Sequence, residues 1–252
     1  MAYANNADVR IHYRVEGSGP PLVLHHWTFA DLEWWYDFGY VDVLKESATL
    51  ILIDSRAHGL SDKPVAPNAY DVKTRVKDVV CVLDAAGIAK AHFFGFSMGG
   101  WIGYGMAAYA SQRICSLTIG GAHPYAQSME GSRDFLGIGA TDGPVEFVKA
   151  WESEVGPLTT PQRKRMLEFD YHAMIAAAGD RDSLVDSIAN IDVPCLLFVG
   201  EEDNICSQVK HAAEDIPSAE LVTFPGKGHG ATIRDHEHVV PLVRHVIESH
   251  PC

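Results

Sequence analysis

The sequence has few cysteines, no long apolar run and a shortage of basic side chains, and each shortage excludes a class of protein. Its 252 residues contain five cysteines, Cys81, Cys115, Cys195, Cys206 and Cys252. They are odd in number and widely spaced, so we expect reduced thiols rather than a disulfide framework. No apolar stretch reaches the length of a membrane span, and the first residues do not have the pattern of a signal peptide. We therefore expect a cytoplasmic protein without a membrane partner.

Acidic side chains outnumber basic ones, and this balance limits the kinds of molecule that the protein is expected to bind. Lys and Arg total 20 and Asp and Glu total 33, for a formal net charge of -13. Nucleic acids and anionic lipids are bound mainly through Lys and Arg, so this balance opposes both. A small molecule is the partner that we expect, whereas the oligomeric state is left open.

The hydrophobic pattern predicts an α/β fold. Five short, continuous apolar runs are typical of parallel strands that are covered on both faces: PLVLH, ATLILID, AHFFGF, ICSLTIG and VPCLLFVG. Residues 9–16 instead alternate apolar and polar side chains, which predicts an antiparallel edge strand. Segments with helical spacing lie between these runs, so we predict a mostly parallel central sheet flanked by helices.

One region breaks the alternation of strand and helix. Residues 122–191 contain successive helical patterns, such as PVEFVKAWESE, without an obvious strand. We interpret this region as a small helical cap inserted into a single core, which is formed by residues 1–121 and 192–252.

A serine between two glycines is the first candidate for chemistry. Gly95-Phe96-Ser97-Met98-Gly99 follows a predicted strand and opens a predicted helix, the setting in which a sharp turn exposes a nucleophile. Glycines are needed where such a turn brings backbone segments together. A serine with only a structural role in a glycine-rich loop is the alternative.

A serine hydroxyl needs a base and a group that orients the base. His229 lies in the glycine-rich stretch LVTFPGKGHGATI, and Asp203 follows the apolar run CLLFVG. Glu201 and Glu202 precede Asp203 directly and are alternative acids. The order serine, acid, histidine is that of the α/β-hydrolases.

The chain resembles the α/β-hydrolase fold enzymes over nearly its whole length, nearest to esterase, lactonase and perhydrolase-like members with a small cap. GFSMGG is similar to the family's nucleophile turn, VGEEDNI to its acid turn and PGKGHG to its histidine loop. The resemblance implies a catalytic triad of Ser97, Asp203 and His229. LIDSRAHGLSDKP is similar to another family stretch in which Ala57 replaces a glycine, and there His58 is expected to be a structural histidine beneath the site.

The stretch VLHHWTF departs from the family, which usually has a glycine after the histidine of its oxyanion loop. Alignment from the preceding strand places Trp27 at the glycine and Thr28 at the N-H donor. A register shifted by one residue makes Trp27 the donor instead. The second donor is expected to be the N-H of Met98, directly after the nucleophile. Trp27 and Phe96 are the predicted pocket-lining residues.

These residues predict a serine hydrolase acting on a small to medium carboxylic ester or lactone through an acyl-enzyme. No Arg or Lys clamp can be placed, so we expect an uncharged substrate. No metal or organic cofactor is expected. Perhydrolysis or carbon-carbon bond hydrolysis by the same triad is an alternative reaction, and a ligand receptor that keeps the fold without turnover is the alternative from another class.

Overall fold

An eight-stranded sheet forms the centre of the chain in a computed structural model that describes residues 2–188 and 191–252. The strands are β1 (Ala2–Asn6), β2 (Val9–Gly17), β3 (Pro21–His25), β4 (Thr49–Ile53), β5 (Ala91–Phe96), β6 (Ile114–Gly120), β7 (Cys195–Gly200) and β8 (Ala219–Phe224). Their order in space is β1, β2, β4, β3, β5, β6, β7, β8. Among the described strands, the pairs β1–β2 and β2–β4 are antiparallel and the other neighbouring strands are parallel. The predicted α/β class with a mostly parallel sheet is confirmed.

Helices connect the strands and cover both faces of the sheet. They are α1 (Glu33–Asp37), α2 (Tyr40–Leu44), α3 (Val72–Ala85), α4 (Met98–Ala110), α5 (Glu130–Thr141), α6 (Pro144–Val155), α7 (Thr160–Leu167), α8 (Tyr171–Ala177), α9 (Val185–Ile188), α10 (Cys206–Asp215), α11 (His229–Arg234) and α12 (His236–Ser249). Two large clusters of buried apolar side chains include residues from every strand of the sheet. In the described part of the chain, no helix is long and apolar enough to cross a membrane.

The alternating segment at residues 9–16 does not form the edge of the sheet, and that expectation is wrong. It is part of β2, which pairs with β1 on one side and with β4 on the other. The strand at this edge is β1, whose sequence Ala-Tyr-Ala-Asn-Asn has no apolar periodicity that would predict a strand. Pairing with β2 therefore determines its conformation.

Among the described residues, five helices, α5 to α9, lie between β6 and β7, in the region that the sequence suggested as a cap. The stretch at residues 161–178 forms two helices, α7 and α8, because the chain bends between them. The cap boundaries, 122–191 against a core of 1–121 and 192–252, stay a prediction. Met1 of the core and residues 189–190 of the cap lie outside the described residues.

Two of the five cysteines form a disulfide, so the expectation of reduced thiols is wrong for this pair. Cys115 lies at the start of β6, and the chain after α12 brings Cys252 within a Cα–Cα distance of 5.2 Å. The 137-residue separation gives no local signal of this pairing. Cys81, Cys195 and Cys206 are free. Disulfides persist mainly in oxidising compartments, so the thiol argument for a cytoplasmic location no longer holds.

Buried histidines occupy the junction beneath the carboxyl ends of β3 and β4. Burial lowers the pKa of His25 to about 3 and that of His58 to about 4. Burial also holds the pKa of His26 well below its usual range. These side chains are therefore neutral imidazoles that serve as hydrogen-bonding groups in the core.

Removing the disulfide should destabilise the protein. We expect Cys252→Ser to lower the free energy of unfolding by about 2–5 kcal/mol, because the unfolded chain loses a long covalent loop. Urea unfolding of wild type with and without reductant measures this, and Cys81→Ser, which removes a free thiol, is the matched control. Thiol titration of the unfolded, unreduced wild type should find Cys81, Cys195 and Cys206 reactive. Equal stability of wild type and Cys252→Ser would contradict the expectation.

The buried histidines predict a loss of stability in mild acid. Unfolded histidines take up protons below their ordinary pKa of 6.5, whereas His25 and His58 stay neutral in the folded state until about pH 3 and 4. Stability is therefore complete above pH 6.5 and falls as the pH approaches those values, by about 2 kcal/mol per histidine between roughly pH 7.5 and pH 5. Burial raises the pKa of Asp31 to about 7. As the pH falls, Asp31 therefore takes up a proton in the folded state before it does so in the unfolded chain. This gain in stability offsets the loss from about one histidine.

Urea unfolding across this pH range tests the prediction. The exposed His245 provides the control, since His245→Gln should keep the pH dependence of wild type. A free energy of unfolding that stays constant from neutral to mildly acidic pH is the result that contradicts it.

Candidate active site

The predicted functional residues lie at one edge of the sheet. Ser97 follows β5, Thr28 follows β3, Asp203 follows β7 and His229 follows β8. These four strands are parallel, so their carboxyl ends meet at the same edge. The topology thereby brings together side chains that are as much as 201 positions apart in sequence, which is the usual location of ligand sites in open α/β sheets.

The turn at Ser97 is sharp and strained. Ser97 has φ 54° and ψ -109°, a region that residues with a side chain rarely adopt. Its N-H donates to the carbonyl of Gly120 at 2.8 Å, which ties the turn to the end of β6. A Cβ on Gly95 would collide with the carbonyl group of Gly99, and a Cβ on Gly99 would collide with the carbonyl of His25. Both glycines are therefore required by close backbone contacts.

Asp203 is the carboxylate that contacts the histidine. The Nδ1-H of His229 donates to Asp203 Oδ2 at 2.6 Å, and the Asp203 side chain is 1% exposed against 41% for His229. Glu201 instead accepts from the Thr223 hydroxyl, and Glu202 is exposed. Of the three candidate acids, Asp203 alone is placed to orient the imidazole.

Backbone contacts hold the acid turn against the histidine loop. The N-H of Glu202 donates to the carbonyl of Lys227 at 3.0 Å, and the N-H of Asp203 donates to the carbonyl of Gly200 at 3.1 Å. A Cβ on Gly200 would collide with the Lys227 carbonyl. The relative position of Asp203 and His229 is therefore determined by main-chain contacts as well as by their own hydrogen bond.

Ser97 and His229 line one cavity of about 550 Å³. Phe96 contacts the imidazole, with ring centroids 4.9 Å apart, and a Cβ on Gly121 would come within 2.9 Å of His229 Cε1. Gly121 therefore leaves room for the histidine ring beside the serine. No hydrogen bond between Ser97 and His229 occurs among the described residues, which is common for catalytic pairs without substrate.

The loop after β3 is held by two buried histidines. His26 donates its Nδ1-H to the carbonyl of Trp27 at 2.8 Å and accepts the N-H of Ser55 at its Nε2. The two ring nitrogens of His58 face two carbonyls: Nε2 lies 2.7 Å from the carbonyl of Thr28 and Nδ1 lies 2.9 Å from that of Arg56. A neutral imidazole donates to one of these two carbonyls. A turn closes from the Ala30 N-H to the Trp27 carbonyl at 3.2 Å.

The position of Thr28 in this turn decides whether its backbone N-H is free to donate in the predicted oxyanion hole. Thr28 is the second residue of the turn, whose N-H is not used by the closing hydrogen bond. Met98 is the first residue of α4, whose N-H has no acceptor within the helix. Thr28 lines the same cavity as Ser97, so both predicted donors remain consistent with the geometry. The N-H of Trp27 likewise has no acceptor among the described residues, and Trp27 lines the same cavity, so the register that makes Trp27 the donor stays open.

Trp27 packs into an aromatic cluster rather than blocking the serine. Its ring stacks on Phe38 at 5.5 Å with an interplanar angle of 10° and meets Phe96 edge to face at 6.0 Å. It is 8% exposed, and both Trp27 and Phe96 line the cavity, as the sequence suggested. The tryptophan in place of the family's glycine is accommodated by this cluster.

Two arginines in the cavity wall had no signal in the sequence. Arg181 follows α8, and Arg234 ends α11. The inference that no cationic side chain can be placed at the site is therefore wrong. Arg181 reaches the cavity through a contact with Gln127, 54 residues away, and such a distant pairing cannot be deduced from spacing.

Comparisons with known proteins agree with this architecture. A family model described as alpha/beta hydrolase fold matches residues 20–154. The AB hydrolase superfamily protein YisY of Bacillus subtilis is 27% identical over 90% of this chain and 91% of its own. The crystal structure of the esterase RhEst1 from Rhodococcus sp. ECU1013 is 27% identical, covers 99% of this chain and 98% of its own, and has a TM-score of 0.84.

A more distant structure agrees in fold alone. The enol-lactonase from Burkholderia xenovorans LB400 is 24% identical, with a TM-score of 0.82 and 98% of both chains covered. The family match extends over more than half of the sequence and includes the Ser97 turn. The chain therefore belongs to the α/β-hydrolase fold family.

Proposed function

We propose that this protein is a serine hydrolase that cleaves a carboxylic ester or lactone through an acyl-enzyme on Ser97. One observation carries the proposal: a strained serine shares a cavity with a histidine whose Nδ1-H is held by a buried aspartate. A purely structural serine would not require a positive φ or an adjacent oriented imidazole.

The first half of the proposed reaction forms the acyl-enzyme. The Ser97 hydroxyl attacks the substrate carbonyl carbon while His229 Nε2 takes its proton. Asp203 holds the tautomer with the Nδ1-H and stabilises the imidazolium. The N-H groups of Met98 and Thr28 receive the negative charge on the carbonyl oxygen, and each such donor contributes about 10² to 10³ in rate. The carbon-oxygen bond then breaks, and the alcohol leaves with the proton from His229.

The second half releases the acid. Water gives a proton to His229 and attacks the acyl carbon, and the bond to Ser97 breaks as the histidine returns the proton to the serine oxygen. An ester and a lactone differ only in whether the alcohol departs or remains attached to the acid. The cavity of about 550 Å³ lies within the range of small-molecule sites.

A series of p-nitrophenyl esters from acetate to octanoate tests the proposal. We expect turnover by wild type with a maximum at one chain length and a loss of at least about 10³ in kcat for Ser97→Ala, because no other nucleophile occupies the turn. A fluorophosphonate should label wild type and Ser132→Ala, which alters another serine of the cavity wall, but not Ser97→Ala. Labelling without turnover would favour a receptor, and absence of labelling would contradict the nucleophile.

Asp203→Asn tests the acid independently. An amide in place of the carboxylate donates to Nδ1 and selects the wrong imidazole tautomer, so we expect kcat to fall by about 10⁴ with little change in KM. Glu202→Gln changes the adjacent exposed carboxyl in the same way and should keep wild-type kcat. A larger loss in Glu202→Gln than in Asp203→Asn would reassign the acid.

A further inference from the structure

A buried guanidinium that has no carboxylate partner in the described part of the chain borders the cavity. Arg181 is 8% exposed, and the only hydrogen bond of its guanidinium among the described residues runs from Nη1 to Gln127 Oε1 at 3.0 Å. Arg56, by contrast, is paired through two nitrogens with Asp78. Burying a cation without an anion is costly, and an apolar side chain of similar size is usually at least as stable. A role in packing alone does not account for Arg181.

The arginine is held rigidly. The main chains of Arg181 and Gln127 exchange two hydrogen bonds of 2.9 and 3.0 Å. The guanidinium lies over the Trp101 ring, with Cζ 5.3 Å from the ring centroid. One face is therefore covered, while Nε and Nη2 have no acceptor in the described part of the chain. Two donors with a defined direction are the arrangement that binds a carboxylate.

The surrounding charges do not neutralise Arg181. The nearby carboxyl of Asp180 pairs with Arg133 at 2.7 Å, and the carboxylate of Asp71 accepts from Thr74. Arg75 lies in the same recess of about 90 Å³ and donates to the carbonyls of Tyr70 and Ala177. Burial and repulsion from Arg75 lower the pKa of Arg181 to about 9, which still leaves it protonated near neutral pH.

The recess opens beside the predicted oxyanion hole. Thr28 and Arg181 line both the recess and the main cavity, and Met98 lines the recess. The other charged side chains of the main cavity are Glu154 and Arg234, which are exposed and of opposite sign. With histidine neutral, the side chains that line the main cavity carry one net positive charge, and the carboxylate of Asp203 lies outside this lining, against His229 Nδ1.

We propose that the substrate carries a carboxylate besides its scissile ester or lactone carbonyl, and that Arg181 binds this carboxylate. The proposal rests on the proposed serine hydrolase function and narrows its substrate class. It replaces the uncharged substrate that the sequence suggested. The anion compensates the buried cation, and the gain in binding places the carbonyl between Ser97 and the two N-H donors.

Matched ester pairs test the inference. Monomethyl esters of succinate, glutarate and adipate are compared with methyl butyrate, valerate and hexanoate by titration of the released acid. For wild type we expect kcat/KM to favour at least one charged ester by about tenfold or more, as for a charge-assisted pair. For Arg181→Met and Arg181→Gln we expect the ratio of kcat/KM for each charged ester to that for its neutral partner to fall to about one.

Two controls separate the local effect from general electrostatics. Lys149 pairs with Glu146 on the exposed side of α6, so Lys149→Gln removes the same charge elsewhere and should keep the preference of wild type. Arg181→Lys should keep part of the preference, since an ammonium provides the charge without the paired donors. Circular dichroism of each variant establishes that it is folded.

Binding provides a readout that does not depend on turnover. Glutarate should raise the melting temperature of Ser97→Ala but not that of Ser97→Ala with Arg181→Met. Turnover of neutral esters with no preference for charged ones and no glutarate binding overturns the inference and leaves the hydrolase proposal intact. Absence of all turnover and of Ser97 labelling overturns the hydrolase proposal and the substrate claim with it, and Arg181-dependent glutarate binding would then define a carboxylate receptor site.

Discussion

The backbone at Ser97 depends on three chain segments that approach more closely than side chains allow. The end of β5, the start of α4 and the carbonyl of His25 meet at Gly95 and Gly99, where a Cβ would overlap backbone atoms. The strained φ of Ser97 costs about 1–3 kcal/mol. Hydrogen bonds from its N-H to Gly120 and from the Trp101 N-H to its carbonyl oppose this cost. The position of every other group at the site is defined relative to this turn.

The loop that faces the turn is supported from beneath by uncharged polar groups. His26 and His58 contact the carbonyls of Trp27 and Thr28, and burial keeps both imidazoles neutral by lowering their pKa values. A charged histidine there would oppose the cationic Arg75 nearby. Trp27 stands where the family usually has a glycine, and packing against Phe38 and Phe96 holds its side chain. Hydrogen bonds orient this loop, and dispersion contacts keep it in place.

Local patterns predicted much of this architecture, and distant contacts account for what they missed. The five buried strands were predictable because their continuous apolar runs reflect cover on both faces, and Ser97 was predictable because its glycines reflect a steric need. Ala57 adopts φ 72° at a position where the family has glycine, so even that departure keeps the backbone conformation. The edge strand β1, the Cys115–Cys252 disulfide and the placement of Arg181 depend on pairings without a local pattern.

The proposed charge of the substrate also bears on how the reaction would end. In the proposed complex, a bound carboxylate pairs with the guanidinium of Arg181, which lines the cavity. Hydrolysis then creates a second carboxylate at Ser97, near the carboxylate of Asp203 beside His229 and on a chain with a formal charge of -13. Repulsion between the two carboxylates in a cavity of low dielectric exceeds that in water. This repulsion opposes the contact with Arg181, so we expect the dicarboxylate product to bind more weakly than the half-ester substrate.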